Sequence, residues 1–380
     1  MPTFTPDAVR DLDMPDNEAR QSAVERAAQM SLPTVEQEVW RYSRIGDLQL
    51  DRYLPAAART TVEGGDGYLV IDAEPPAVQV HDIFDELSAA FHRTITLRIP
   101  GGRVVSEPII VTHTLERAHE ALFPRLVIEA GPDSEVTVVE RFLSDDGVDA
   151  LIVPRLFVTA AQAARVSYLG VNLLGTSTWQ LGHQQAVGER DSTTLLATVA
   201  LGGDYARVRT DARVSGQGAS TRQIALYYAD GTQMHDFRTL QDHVAPKTNS
   251  DLLFKGAVQD TAKSVYTGLI RIRNEAKGSV AYQTNRNLTL SEGAWAESVP
   301  NLEIETNDVK CSHASTVGPI DDEQRFYLES RGISPDVAER LVVLGFFDEV
   351  LAMLPVGPFA AELRQRIAGK LQGITHGGAA

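Results

Sequence analysis

Three features of the 380-residue sequence predict a mainly β protein, with a long core of short strands held between two helical ends. From about Tyr68 to His313 the chain is broken into short β-branched runs bounded by Gly, Pro, Asp or Ala-rich punctuation. The first 60 or so residues and those after Pro319 instead carry helix-start and helix-stop signals. No helical pattern interrupts the strand zone, which excludes a βαβ sheet and leaves a β-solenoid, a sandwich or a large barrel.

At the N-terminal end, Asn17 to Met30 is spaced as a helix, with Asp16 or Asn17 as its N-cap. After Leu32-Pro33, Thr34 and Gln37 have the spacing of a capping box, predicting a second short helix over Val35–Tyr42. The strand zone opens with Tyr68-Leu69-Val70-Ile71. It continues through Ile95–Ile99, Ile109–Thr112, Leu126–Glu129 and Val136–Val139, and Arg271-Ile272-Arg273 alternates as a half-buried strand does. Ala130–Val136, Ala160–Val166 and Glu275–Val280 each run through small residues into a valine. Such punctuation suits tight corners where one coil stacks on the next, although no strict repeat length accompanies it.

The C-terminal end reads as three helices. Residues 322–331 place acids in the first turn, with Gly332 just beyond the last. Ser334-Pro335-Asp336 then opens a helix with Ser at the N-cap and Pro at N1. That helix carries Val337, Leu341, Leu344, Phe347 and Leu351 at helical spacing, an apolar face that either packs inward or docks a partner. A third helix is expected over Phe359–Leu371, and a loose tail after Gly373.

Composition narrows the function. Thirty-five basic against 51 acidic residues leave a net charge of −16, which disfavours nucleic-acid binding. The longest charge-free stretch, Ser167–Gly188, is too polar to span a bilayer. No secretory leader pattern opens the chain, so a soluble, cytoplasmic protein is expected. Neither GxxxxGKS/T nor GxGxxG occurs, which argues against an ATPase.

Chemistry concentrates at Cys311, the only cysteine, and His313. On an extended segment residues two apart share a side, so thiol and imidazole project together as soft ligands. The competing reading is a buried inert thiol beside a hydrogen-bonded histidine. His235 and His243 each adjoin an aspartate, but strand neighbours point to opposite faces, so neither is a dyad by sequence alone. Asp204, Asp211, Asp230, Asp236 and Asp251 are the carboxylates a solenoid polysaccharide lyase or hydrolase would draw on, although a solvated face explains them as well.

Longer ordered motifs lie downstream. They include Gln241-Asp242-His243, Pro246-Lys247-Thr248, Lys255-Gly256, Tyr266-Thr267-Gly268, Gln283–Ser291 and Pro300–Ile304. Asn307–Gly318 and the run 322–333 follow. This sequence of motifs resembles the SufB/SufD family of iron–sulfur cluster assembly proteins, and the Cys311-Ser312-His313 run is most similar to the SufD branch. The resemblance implies a helical region over residues 1–65, a right-handed parallel β-helix over 66–318 and an ATPase-binding helical region over 319–380.

It further implies a non-catalytic scaffold subunit that pairs with a SufB-like paralogue and binds a SufC-like, ABC-type ATPase. Such a subunit holds no cofactor alone and shares a transient iron–sulfur cluster with the paralogue. His313 and Cys311 would then face that cluster, while Phe326, Tyr327, Leu341, Leu344 and Phe347 would meet the ATPase. Two other readings remain: a cytoplasmic β-helix lyase or hydrolase, and a homodimeric β-helix binding module without cluster chemistry.

Overall fold

The computed structural model describes residues 3–12, 17–57, 59–70 and 80–371; Asp16, Ile71 and the tail after Gly373 lie outside them. Two long sheets face each other, one of 12 strands and one of 9, and wind into a parallel β-solenoid of about 8 turns. Successive coils stack in parallel register. Thr193 sits over Arg165, Ser220 over Thr193 and Asn249 over Ser220, so a turn repeats every 27 to 29 residues. Antiparallel pairing occurs at the start of the solenoid, between Arg59–Glu63 and Ile109–Leu115 and between Leu69–Val70 and Arg93–Ile99.

The small-residue punctuation forms the corners. Asp133, Ala163 and Gly278 adopt positive φ of 57°, 58° and 72°. Each donates its backbone N–H to the coil above: Asp133 to the Gln162 carbonyl (3.0 Å), Ala163 to Arg190 (2.9 Å) and Gly278 to Asp308 (2.7 Å). The left-handed residue is therefore what aims the corner N–H along the solenoid axis. Inside, aliphatic and aromatic residues stack coil on coil. Ile128, Val138, Leu156, Val158 and Tyr168 lie toward the N-terminal end, and Tyr227, Phe237, Phe254 and Tyr266 further on.

Among the described residues, six α-helices flank the solenoid: α1 (Pro6–Asp11), α2 (Asn17–Ala28), α3 (Ile83–Phe91), α4 (Asp322–Ser330), α5 (Pro335–Leu351) and α6 (Gly357–Leu371). The first three close over the outer face of the 12-stranded sheet, where Val24, Trp40, Phe84 and Phe91 pack on Leu151, Trp179 and Tyr205. Arg26 pairs with Glu86 (2.7 Å), and Arg44 with Asp204 (2.9 Å). α5 and α6 close over the outer face of the other sheet. There Val343, Phe347, Val350, Leu363 and Ile367 pack on Leu169, Val199, Ile224 and Leu226. Lys255 and Lys370 reach out from the two sides to the Phe346 carbonyl (2.8 Å) and Asp230 (2.8 Å).

Two local expectations are corrected. Val35–Tyr42 is no α-helix: only a 3-10 turn forms at Glu38–Trp40. Arg238 donates to the Glu38 carbonyl (2.9 Å) and Arg207 to that of Val39, which occupies the acceptors a continuing helix would need. Thr34 and Gln37 meet through a backbone bond (3.1 Å), as a turn does. Helix α3 interrupts the strand zone. Asp82 caps it by accepting the Phe84 N–H (2.9 Å), and Ile83, Phe84, Leu87 and Phe91 bury it against the N-terminal helices.

Candidate functional site at the open end of the solenoid

The last coil consists of Trp295–Ile304 and Val309–Gly318, the second of which stacks on Ser279–Thr289 of the coil below. Trp295–Ile304 ends one sheet and Val309–Gly318 ends the other, so each has one paired edge and one bare one. Leu302 and Ile304 stand over the buried Ile270 and Ile272 in register, yet both are exposed. Val317, over Asn287, is exposed in the same way. The apolar interior of the solenoid therefore runs out at this end, with nothing over it among the described residues.

Cys311 and His313 lie on that terminal strand, with Cys311 over Ala281 and His313 over Gln283. Residues two apart share a side, so both face the open interior, as the spacing predicts. Their environments differ. Cys311 is half-buried against the cluster of Ile270, Ile272, Ala276 and Ala281, and that burial pushes its thiol pKa up. His313 is exposed. A raised thiol pKa disfavours the thiolate that metal ligation and nucleophilic attack require. Among the described residues, no group of three or more His, Cys, Asp or Glu converges to hold a metal ion.

The helical candidates separate by burial. Phe326 (71% exposed) and Tyr327 (58%) stand on α4, which buries none of its residues. On α5, Leu341 is exposed and Leu344 half-buried, whereas Phe347 is fully buried (0%) against the solenoid. The face expected from spacing is thus split between a wet half and a core half, and Phe347 belongs to the core.

The remaining candidates are structural. His235 points inward and donates from Nε2 to the Gly202 carbonyl (3.1 Å), while Asp236 points outward to Arg207 and Tyr205. His243 sits between Thr248 and Ser250 (2.7 Å each), and Asp242 meets Arg273 (2.8 Å) on the other face. Both histidines are buried, which pushes each imidazole down to about 4. Asp204, Asp211, Asp230, Asp236 and Asp251 are held by Arg44, Arg209, Lys370, Arg207 and Arg222 respectively.

Sequence reasoning missed the rim. Leu302-Glu303-Ile304-Glu305 alternates as a half-buried strand, and only the stacking order shows that no coil follows to cover it. It also passed over Gln283, a buried amide directly beneath His313.

Comparison with known proteins agrees with this architecture. Residues 113–346 match the family described as "SUF system FeS cluster assembly, SufBD core domain". An iron–sulfur cluster assembly SufBD family protein of Mycobacterium tuberculosis is 41% identical over 218 residues, 55% of this chain and 54% of that protein. SufD of Escherichia coli is 28% identical over 331 residues, 85% of this chain and 78% of that protein. SufD of Bacillus subtilis is 30% identical over 278 residues, 73% of this chain and 64% of that protein. The chain spans about half the length of the mycobacterial relatives it matches. With a matched domain that takes in the solenoid from Ile109–Leu115 onward, α4 and most of α5, the chain belongs to the SufB/SufD family of iron–sulfur cluster assembly proteins and is most similar to SufD.

Proposed function

We propose that this chain is a non-catalytic scaffold subunit of a SUF-type assembly complex and that its open solenoid end docks a SufB-like paralogue. The observation that carries the reading is the uncovered last coil. Two bare strand edges and an exposed apolar interior, with Leu302, Ile304 and Val317 on it, surround Cys311 and His313. Bare edges invite another chain to continue the sheets, and an apolar patch rimmed by polar groups marks an association surface. A second solenoid stacked end to end would satisfy both.

The cluster is cargo of this junction. An iron–sulfur cluster takes four soft ligands, and one thiol with one imidazole is at most half a set, so the paralogue supplies the rest. Exposed His313 is the better contributor of the two, because Cys311 sits in an environment that keeps its proton. Incomplete ligation from each side suits a cluster that is assembled and then released.

A SufC-like ATPase docks on the wet side of the C-terminal helices, through Phe326 and Tyr327 on α4 and Leu341 and Leu344 on α5. A helix with no buried residue and two adjacent exposed aromatics has little reason to persist without a partner. The cation-tied aspartates of the strand zone weigh against a lyase or hydrolase. Co-expression of the tagged chain with the ATPase and the paralogue tests the reading. Recovery of all three in one complex is expected, and a chain that purifies free of both refutes it.

A further inference from the structure

Ten buried side-chain polar atoms have no hydrogen-bond partner among the described residues, and two of them belong to a single residue, Gln283. Both its Oε1 and its Nε2 are orphaned, and the side chain is 1% exposed. A buried primary amide with neither end satisfied is costly, and its persistence asks for a partner. Gln283 lies directly beneath His313, one strand away and on the same inward side. That separation is about 4.8 Å, within reach of a rotating imidazole. His313 is exposed and, among the described residues, no hydrogen bond or ion pair holds its ring, so its rotamer is open.

The amide packs against Gly268. A side chain at Gly268 would collide with the Tyr266 hydroxyl and lie 2.5 Å from Gln283 Nε2, nearer to the nitrogen than to the oxygen. The nitrogen end is therefore turned across the interior toward Gly268 and the Tyr266 hydroxyl, which itself bonds Thr239 (3.0 Å). Glycine at 268 is what leaves room for this approach. The other end is turned from Gly268, and His313 stands in register above it on the neighbouring strand.

We propose that Gln283 is a positioning residue for His313: its Oε1 accepts the ring N–H, fixes one tautomer and leaves the other ring nitrogen's lone pair facing the open end of the solenoid. An imidazole held this way presents a ready ligand atom to iron. Groups that accept the second N–H of a ligating histidine raise its basicity and set its direction. This inference rests on the reading of His313 as an iron-side group.

The test uses the purified full chain labelled with 15N-histidine, with His313 assigned by loss of its signal in His313→Ala. In the wild type, ring nitrogen shifts should show one tautomer dominating by about tenfold. Gln283→Leu, nearly the same size, should fold with a melting temperature no lower than the wild type and return His313 to the mixture of a free imidazole. Gln283→Glu keeps an acceptor and should keep the single tautomer, whereas Gly268→Ala, which displaces the amide, should behave as Gln283→Leu does. Ferrous iron binding, measured anaerobically by equilibrium dialysis so that every variant including His313→Ala is read the same way, should be about tenfold weaker in Gln283→Leu.

A His313 tautomer that is the same in the wild type and Gln283→Leu overturns the proposal. If the tautomer changes as expected but His313→Ala binds ferrous iron like the wild type, the iron reading of His313 falls and the positioning role falls with it. If His313→Ala loses the iron while Gln283→Leu changes neither tautomer nor affinity, only the positioning role is overturned.

Discussion

Cys311 and His313 are two residues apart and face the same opening, yet burial gives them different chemistry. The thiol packs on Ile270 and Ala281 with a raised pKa, while the imidazole meets solvent. Cys311→Ser should therefore lower cluster formation in the proposed complex less than His313→Ala does, measured as iron and acid-labile sulfide per complex. The reverse order would make the thiol the principal ligand. The interior histidines give a separate prediction. Burial holds His235 and His243 neutral down to about pH 4, whereas in the unfolded chain each takes up a proton near 6.5. Their contribution is fully present above about pH 6.5. As pH falls toward 4 the unfolded state binds protons that the folded state refuses. Stability then drops by about 1.4 kcal/mol per pH unit for each histidine. The melting temperature should fall across that window, and His235→Gln should fall less steeply; equal slopes would contradict the assignment.

Helix α5 shows how far spacing can be read. The N-cap position, the Pro at N1 and the apolar repeat all place it correctly, and α4 is equally legible from the acids in its first turn, while α6 begins at Gly357, two residues before the Phe359 expected. Spacing does not show which half of an apolar helix meets the sheet. Phe347 points into the solenoid and Leu341 away from it, and only the position of Ile224 and Leu226 beneath decides this. Phe347→Ala should cost about 3–5 kcal/mol in urea unfolding. Leu341→Glu and Phe326→Glu should leave the free chain's stability within about 0.5 kcal/mol of wild type and abolish ATPase binding. Either charged variant binding the ATPase normally would remove that residue from the docking surface.

Corners were legible as small-residue punctuation, but the left-handed residue within each was not, since alanine at 163 gives no signal for it. Ala163→Gly should stabilise the chain by several tenths of a kcal/mol, because glycine adopts a φ of 58° without a Cβ clash. A loss on thermal unfolding would show that backbone entropy outweighs the relieved strain. The Glu38–Trp40 turn escaped the sequence for a tertiary reason, since arginines from distant strands take its carbonyls, whereas α3 carried a local signal that was overlooked, the Asp82 cap with Asp85 and Glu86 in the first turn.

At the scale of the whole molecule the solenoid is closed along its sides and open at one end. Helices cover the outer faces of both sheets, and the residues that carry the family resemblance fill the last coils. The strand zone was readable as β, and its winding followed from the resemblance, because solenoid, sandwich and barrel share the same short-strand composition. What no single strand could show is that, among the described residues, stacking stops at Val309–Gly318 and leaves the core there uncovered. The central claim is that this opening is one half of a cluster-building junction. It is tested most directly by anaerobic reconstitution of the co-purified complex, comparing the wild type with His313→Ala by visible absorption and by iron and sulfide content. The account predicts an intact complex that forms several-fold less cluster when His313 is replaced. A mutant complex that builds the same amount of cluster as the wild type would contradict it.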